Sequence, residues 1–420
     1  MVDKENVLRA HKVKGGKLEV FSKVPLVTRD DLSAYYTPGV ATVCEEIHNS
    51  TEKVFEYTNK SNSIAIVSDG TRILGLGNIG PEAGLPVMEG KAILFKKFGG
   101  VDAIPLCISA TNEDEIINIV KSISPTFGAI NIEDIESPKS FRVVEKLSAS
   151  LSIPVFHDDQ QGTGVVALAA LLNAIKLAGK DKNAKIIING AGSAGMGIVR
   201  LLTFSGFKNV YVVDSAGAIY DGRGGLNEFK QEIARTTNYE KLKGNLDDLV
   251  SGADVLIGVS KAGAFTQDMI RKMNEKPIVF ALANPIPEIS YDEAKKAGAY
   301  IVATGRSDTP NQVNNLLAFP GICKGLLEVR AKGINYEMLY SASIALSKVV
   351  GQKANPELII PDIMDPKLSK KIAANLAAAV AESAMKTGMS RIEKTIAEVK
   401  KNTNDSIKRY SKIEKKILKF

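Results

Sequence analysis

The run Lys185-Ile-Ile-Ile-Asn-Gly-Ala-Gly-Ser-Ala-Gly195 limits what this chain can fold into more than any other feature. Apolar residues 186–188 lead into Gly190, Gly192 and Gly195 at the spacing G-x-G-x-x-G. A helix-like apolar stretch follows from near Met196 to about Phe204, then a strand over 209–213 that ends on Asp214. Strand, glycine turn, helix, strand and acid within about 30 residues form the dinucleotide-binding fingerprint in its required setting. Gly190 permits a tight turn with positive φ, Gly192 leaves room for a pyrophosphate, and Gly195 lets the helix pack closely on the strand. The free amides at the helix start, around Ser193, Ala194 and Gly195, then face an anion. Asp214 is placed to accept hydrogen bonds from an adenosine ribose.

Around this motif, strands and helices alternate. Strands are expected over 64–68, 103–107, 127–132 and 153–157, with helices over 40–47, 112–122 and 141–151 and a helix start at 90–98. A short strand is expected over 17–21, in an otherwise irregular lead-in. Thr163 is placed to cap a long helix over 165–177, and residues 179–183 form a polar hinge. Later strands fall at 254–259, 277–283 and 299–303, and an Ala-rich helix at 369–385. The expected class is α/β, with parallel sheets covered on both faces. An N-terminal α/β domain over 1–161 carries substrate and metal residues. A Rossmann-type doubly wound domain over 162–389 binds the nucleotide and ends in helices, and a basic helical tail fills 390–420.

Charge matters only once it is located. The chain carries a formal +7, but residues 390–420 hold ten Lys or Arg against four Asp or Glu. Six of the seven charges therefore sit in the tail, and the body is nearly neutral, unlike a nucleic-acid-binding domain. The tail has helical apolar spacing at Ile392, Ile396 and Val399, as expected of a helix packed on its own protein. Cys44, Cys107 and Cys323 are few and scattered, which fits a reducing cytoplasm without a disulfide framework. The residues before Ser22 contain no apolar core of a signal peptide, and the apolar run 165–172 is too short to span a bilayer. Neither a membrane nor a nucleic-acid partner is expected.

Two strand ends each present an acid pair, Glu133-Asp134 and His157-Asp158-Asp159. Carboxyl edges of parallel strands line up, so the pairs can converge. Each pair alone reads as capping or solvated loop acid; together they call for a cation, and oxygen-only ligation suits Mg²⁺ or Mn²⁺. Tyr35-Tyr36 before Pro38-Gly39 reads equally as aromatic packing or as a fixed proton donor. Arg72, in a glycine-rich loop, is a surface charge or an anchor for a substrate carboxylate. Lys91, read as lying at a helix start, sits where a cation is disfavoured, and burial there would lower its pKa towards use as a base. Asn284-Pro285 and Asn314-Asn315 lie near strand ends as loop formers or as amides for substrate and nicotinamide, and His157 reads as a core or supporting histidine.

These blocks occur in the order found in malic enzymes. They are Tyr36-Thr-Pro-Gly39, Ser68-Asp-Gly-Thr-Arg-Ile-Leu-Gly-Leu-Gly77, Glu89-Gly-Lys91, Ile132-Glu-Asp134, Phe156-His-Asp-Asp-Gln-Gln-Gly-Thr163, Gly190-Ala-Gly192, Ala283-Asn-Pro285 and Asn314-Asn315. Over roughly residues 15–390 the chain resembles the short prokaryotic type. The resemblance implies oxidative decarboxylation of (S)-malate to pyruvate and CO₂ with NAD or NADP and Mg²⁺ or Mn²⁺. It implies Lys91 as general base and Tyr36 as general acid. Glu133, Asp134 and Asp159 are implied as metal ligands, and Asp158 as the acid that contacts the lysine. Arg72, Asn284 and Asn315 are implied at malate, with Asn284 and Asn314 also near the nicotinamide. A homodimer or higher homo-oligomer is expected.

Two other readings have weight. An amino-acid dehydrogenase with the same second domain needs no metal, so the acid pairs argue against it. A basic-tail interaction protein is opposed by the neutral body. For the cofactor, Asp214 favours NAD by repelling a 2′-phosphate, while Arg223, in Asp221-Gly-Arg-Gly224, reads as a loop charge or as a group that swings over the adenosine end. Use of both cofactors is expected, with a modest preference for NAD.

Overall fold

The computed structural model describes residues 3–110 and 112–417. Two parallel sheets organise them. The first contains β1 (Ser63–Ser68), β2 (Asp102–Cys107), β3 (Ala129–Ile132) and β4 (Val155–His157), in the order β2-β1-β3-β4. The second contains β5 (Ile186–Asn189), β6 (Val210–Asp214), β7 (Gly217–Ala218), β8 (Val255–Gly258), β9 (Ile278–Ala281) and β10 (Ile301–Thr304), in the order β10-β9-β8-β5-β6-β7. Only β7 runs antiparallel, against the end of β6. Strands such as Ile64-Ala-Ile-Val67 are continuous apolar runs because helices cover both faces, and all four of these residues are fully buried. In the second sheet the chain leaves β5 in one direction to β6 and in the other to β8. That reversal opens a crevice beyond the carboxyl ends of β5 and β8.

A 21-residue helix, Asp158–Ala178, joins the sheets. It is long and apolar enough to cross a membrane by length and composition, but two thirds of its most apolar window is buried in the protein core. It crosses the Ser193–Phe204 helix almost backbone to backbone. A β-carbon on Gly197 would lie 1.8 Å from the Gln160 carbonyl oxygen, and one on Gly164 would lie 2.6 Å from the Gly197 carbonyl oxygen. Only hydrogen side chains fit this crossing.

Three local expectations fail. Residues 17–21 form no strand; Leu18, Val20 and Phe21 are exposed, and no sheet edge lies alongside them. Lys17 alone ties them down among the described hydrogen bonds, its N–H donating to Glu89 Oε2 at 3.1 Å and its Nζ to the Pro86 carbonyl at 2.8 Å. Thr163 is not a cap. The helix has already begun at Asp158 with a wide five-residue turn, so the acid pair occupies the first turn, at its positive end. Lys91 is not at a helix start either. Its helix runs Pro81–Leu94, and Lys91 lies in the last turn, where the helix dipole favours a cation. Pro81, Gly84, Pro86 and Gly90 hide this helix from a propensity reading.

The basic tail is a helix, Ile396–Ile417, packed on the Ser369–Lys386 helix and on the 95–99 turn. Its apolar stripe is real: Val399 and Thr403 are fully buried and Ile407 nearly so. Below it, buried Glu328 accepts from Lys394 Nζ at 2.6 Å and Asn402 Nδ2 at 3.0 Å, and pairs with buried Lys324 at 2.8 Å. The chain resolves its charge excess by using part of it as internal counter-charge. Deleting 392–420 strips Glu328 of two partners and uncovers the apolar stripe, costs of several kcal/mol. We expect the melting temperature to fall by roughly 5 °C or more by scanning calorimetry. Binding to duplex DNA, measured by anisotropy, should be absent before and after truncation.

Candidate active site

The carboxyl ends of β3 and β4 lie side by side, with Ile132 in register with His157. The residues that follow are therefore forced together. Oxygens of Glu133, Asp134 and Asp159 lie within 4.8 Å of one another. Asp134 takes a left-handed backbone conformation, φ +50°, which Asp tolerates better than most residues. The turn lets its N–H donate to Asp159 Oδ2 at 2.9 Å. Its carbonyl accepts from the Arg72 N–H at 3.0 Å, which ties in the glycine-rich loop.

Lys91 reaches the cluster from the Pro81–Leu94 helix. It is buried, and its Nζ donates to Glu133 Oε1 at 2.5 Å and to Asp158 Oδ2. The ammonium also stands 4.4 Å from the centre of the Phe319 ring. Asn315 Nδ2 donates to the same Asp158 oxygen, while Asp158 Oδ1 is buried without a partner. Gly162 makes room for that carboxylate; a β-carbon there would meet Asp158 Oδ1 at 2.0 Å.

Four carboxylates against one lysine leave the cluster short of positive charge. Burial and the neighbouring acids, Asp159 above all, push Glu133 well up and Asp134 up to about 7. Burial pushes Asp158 up to about 6, with Lys91 pulling the other way. Burial alone would lower Lys91, but Asp158, Glu133 and Asp159 outweigh it and raise the lysine above its ordinary value. This corrects the expectation of a lowered pKa: these carboxylates set it. An oxygen-only ligand set with excess negative charge and a strained ligand backbone fits a hard divalent cation, held by Glu133, Asp134 and Asp159. His157 is buried with both ring nitrogens unpartnered, and burial pulls it down to about 4, so it is a neutral core histidine.

The nucleotide crevice is built by sterics. Gly190 has φ +127°, and a β-carbon there would lie 2.7 Å from the Val259 carbonyl oxygen. One on Gly195 would lie 1.9 Å from the Gly190 oxygen. At Gly192 the nearest atom to such a carbon is Ser137 Oγ, 4.0 Å away, so the space above it is open. That space is a cavity of about 310 Å³ lined by Ser137, Pro138, Gly192, Asn227 and Lys230, among others. Ser193 lies buried at the helix start beside Ala194.

The remaining candidates divide. Asn315 enters the Lys91 cluster. The Asn284 side chain lies against Gly305, where a β-carbon would meet its Nδ2 at 2.7 Å, and Pro285 faces Gly75 of the glycine-rich loop. Asn314 spends its side-chain oxygen on the Leu316 N–H at 2.9 Å. Arg72 is exposed beside the acids. Tyr36 is 67 % exposed at the end of the Arg29–Tyr35 helix and has no hydrogen bond to the cluster among the described residues. Sequence reading missed Lys230, whose Nζ pairs with Asp214 Oδ2 at 2.7 Å. The available signal was Asn227, a helix cap that puts Lys230 in a first turn, where a cation needs a reason.

Burial and the neighbouring acids raise Asp134 in the folded chain from 3.8 to about 7. Its contribution to stability is thus present below about pH 4 and is lost as pH rises through about 7. A cation binds the ionised acids and reverses that trend. We expect Mn²⁺ to raise the melting temperature by an amount that grows from pH 5 to pH 8. In Asp159→Asn the increment should fall to near zero.

Comparison with known proteins agrees with this geometry. Residues 15–148 match a family model described as malic enzyme, N-terminal domain, and residues 160–385 one described as malic enzyme, NAD binding domain. The bifunctional malic/malolactic enzyme of Bacillus subtilis (strain 168) is 50 % identical over 403 residues, covering 95 % of this chain and 97 % of that one. The NAD-dependent malic enzyme of Geobacillus stearothermophilus is 48 % identical, covering 90 % of this chain and 78 % of that one. The crystal structure of the malic enzyme from Pyrococcus horikoshii Ot3 superposes with a TM-score of 0.95 at 47 % identity, covering 99 % of this chain and 98 % of that one.

Proposed function

The chain belongs to the malic enzyme family, and on that premise we propose how its own residues carry out the family reaction. That reaction is the oxidative decarboxylation of malate to pyruvate and CO₂ with reduction of NAD or NADP, and this chain is such an enzyme. The observation that carries the site reading is the convergence of Glu133, Asp134 and Asp159 on one point with Lys91 alongside.

In this reading residues 1–161 supply substrate and metal groups, residues 162–389 the nucleotide site, and residues 390–420 the packed tail. Arg72, Asn284 and Asn315 bind malate from the glycine-rich loop and the crevice mouth. Gly190, Gly192, Ser193, Ala194 and Gly195 would hold the nucleotide, with Asn284 and Asn314 available to its nicotinamide end. Lys91 takes the C2 hydroxyl proton as hydride leaves C2 for the nicotinamide. With Glu133 committed to a cation, Lys91 keeps fewer carboxylate partners, and burial then favours the neutral amine that a base must be. Glu133, Asp134 and Asp159 would hold Mg²⁺ or Mn²⁺, which would supply the electron withdrawal needed for loss of CO₂. Tyr36 returns a proton to C3.

Tyr36 bears on assembly. It lies on a segment that exposes Leu18, Val20, Phe21, Val24, Leu26, Val27 and Leu32, an apolar surface unusual for an isolated chain. We therefore read the working form as a homodimer or higher homo-oligomer that covers this segment and sets the surroundings of Tyr36. The three free cysteines support a reducing cytoplasm as its compartment.

The test is a spectrophotometric assay with malate, Mn²⁺ and either nucleotide. Activity should vanish in excess chelator. Lys91→Ala should lose malate oxidation by about 10²–10⁴-fold. Tyr36→Phe should slow exchange of solvent deuterium into the methyl group of added pyruvate by a similar factor. Wild-type rates in both variants would remove the assignment. Sedimentation velocity should show a species larger than one chain, and Val20→Asp with Val27→Asp should dissociate it.

A further inference from the structure

Beyond the carboxyl ends of β8 and β9 lies a carboxylate that the reaction does not use. Glu288 is fully buried, and no Lys, Arg or His pairs with it among the described residues. Both of its oxygens accept from backbone amides. Ser260 N–H donates to Oε1 at 2.8 Å, and Ala283 N–H to Oε2 at 3.0 Å. Burial pushes its pKa up, and these two amides pull it down. Gly258, the last residue of β8, makes room for it; a β-carbon there would meet Glu288 Cδ at 2.4 Å. Burying a carboxylate without a counter-ion is costly, and only the hydrogen bonds it gains offset that cost.

Those bonds join two strand ends. Ser260 follows β8, in the turn whose Val259 carbonyl crowds Gly190. The Ser260 hydroxyl accepts from Asn189 Nδ2 at 2.8 Å, which ties the same turn to the end of β5. Ala283 follows β9 and immediately precedes Asn284-Pro285, and the chain returns five residues later to Glu288, whose side chain closes the loop. Being fully buried, Glu288 meets neither malate nor nucleotide, so it acts through these two turns. An amide in its place would accept from one of the two N–H groups and present its own N–H to the other.

We propose that Glu288 is a positioning residue for hydride transfer. It holds the 259–260 turn and Asn284 in one fixed relation across the ends of β8 and β9, so that the nicotinamide and C2 of malate meet at reacting distance. Pro285, packed against Gly75, extends the clamp to the loop that carries Arg72. The inference rests on the reading of Asn284 as a contact to malate and the nicotinamide.

The test is Glu288→Gln in the full-length protein, assayed with malate and with malate deuterated at C2. The value of kcat should fall by about tenfold or more. The primary isotope effect on kcat should rise, because the step that breaks the C2–H bond has slowed relative to the others. Affinity for NADH and NADPH, by fluorescence titration, should stay within about threefold of wild type, and the melting-temperature increment given by Mn²⁺ should not change. A merely structural side chain alters the active fraction and leaves the isotope effect where it was. A lower kcat with an unchanged isotope effect therefore overturns the proposal, as does a wild-type kcat. Glu288→Asp keeps the charge but is one methylene too short to span both amides, and it should behave like Glu288→Gln. Loss of the folded state in both variants also overturns the proposal, since the side chain then serves folding alone. Asn284→Ala separates the two readings. If it keeps wild-type kcat and isotope effect, the reading of Asn284 fails; if it is impaired while Glu288→Gln is not, the positioning role alone fails.

Discussion

One electrostatic imbalance governs this structure: four carboxylates converge where one buried lysine answers them. No isolated helix or loop would hold them there. Adjacent parallel strands impose it, because β3 and β4 end in register and the chain must continue from both. The first turn of the Asp158–Ala178 helix carries two of the acids, Asp158 and Asp159, at its positive end. The left-handed turn at Asp134 supplies a backbone donor to Asp159. Burial makes the imbalance costly, and the cost is what a bound cation relieves. Affinity for the cation and strain in the empty protein are two faces of the same arrangement.

The second sheet follows a different logic. Its crevice is defined less by charge than by missing atoms: Gly190 and Gly195 are required by contacts within the protein, while Gly192 faces open space. That difference separates a glycine that serves the fold from one that serves a ligand. At the far end of β6 charge returns, and the acid normally read as a selector is itself held by Arg223 and Lys230.

Much of this was legible in the sequence. The strand–glycine–helix–strand–acid order sets the second sheet, and the two acid pairs at neighbouring strand ends anticipate the convergence of Glu133, Asp134 and Asp159. The failures have physical causes. The Pro81–Leu94 helix is written in prolines and glycines that propensity reads as a break, so the position of Lys91 and the sign of its pKa shift were misread together. Residues 17–21 alternate like a strand, yet a strand needs a neighbour, and pairing is not a local property. Lys230 is 16 residues from Asp214 on another element, and an ion pair across that gap leaves no spacing signature.

The glycine crossing of the two central helices has a consequence for how the molecule tolerates change. Asp158 and Asp159 sit at the head of one helix and the nucleotide-binding glycine turn at the head of the other, and the two helices meet at Gly164, Gly197 and the Gln160 carbonyl. The separation between the acid cluster and the glycine turn is thereby fixed across the chain at a fulcrum, by the helix crossing. A single methyl group at the fulcrum pries the two half-sites apart, and a misalignment of about 1 Å in such a pair is enough to cost orders of magnitude in rate.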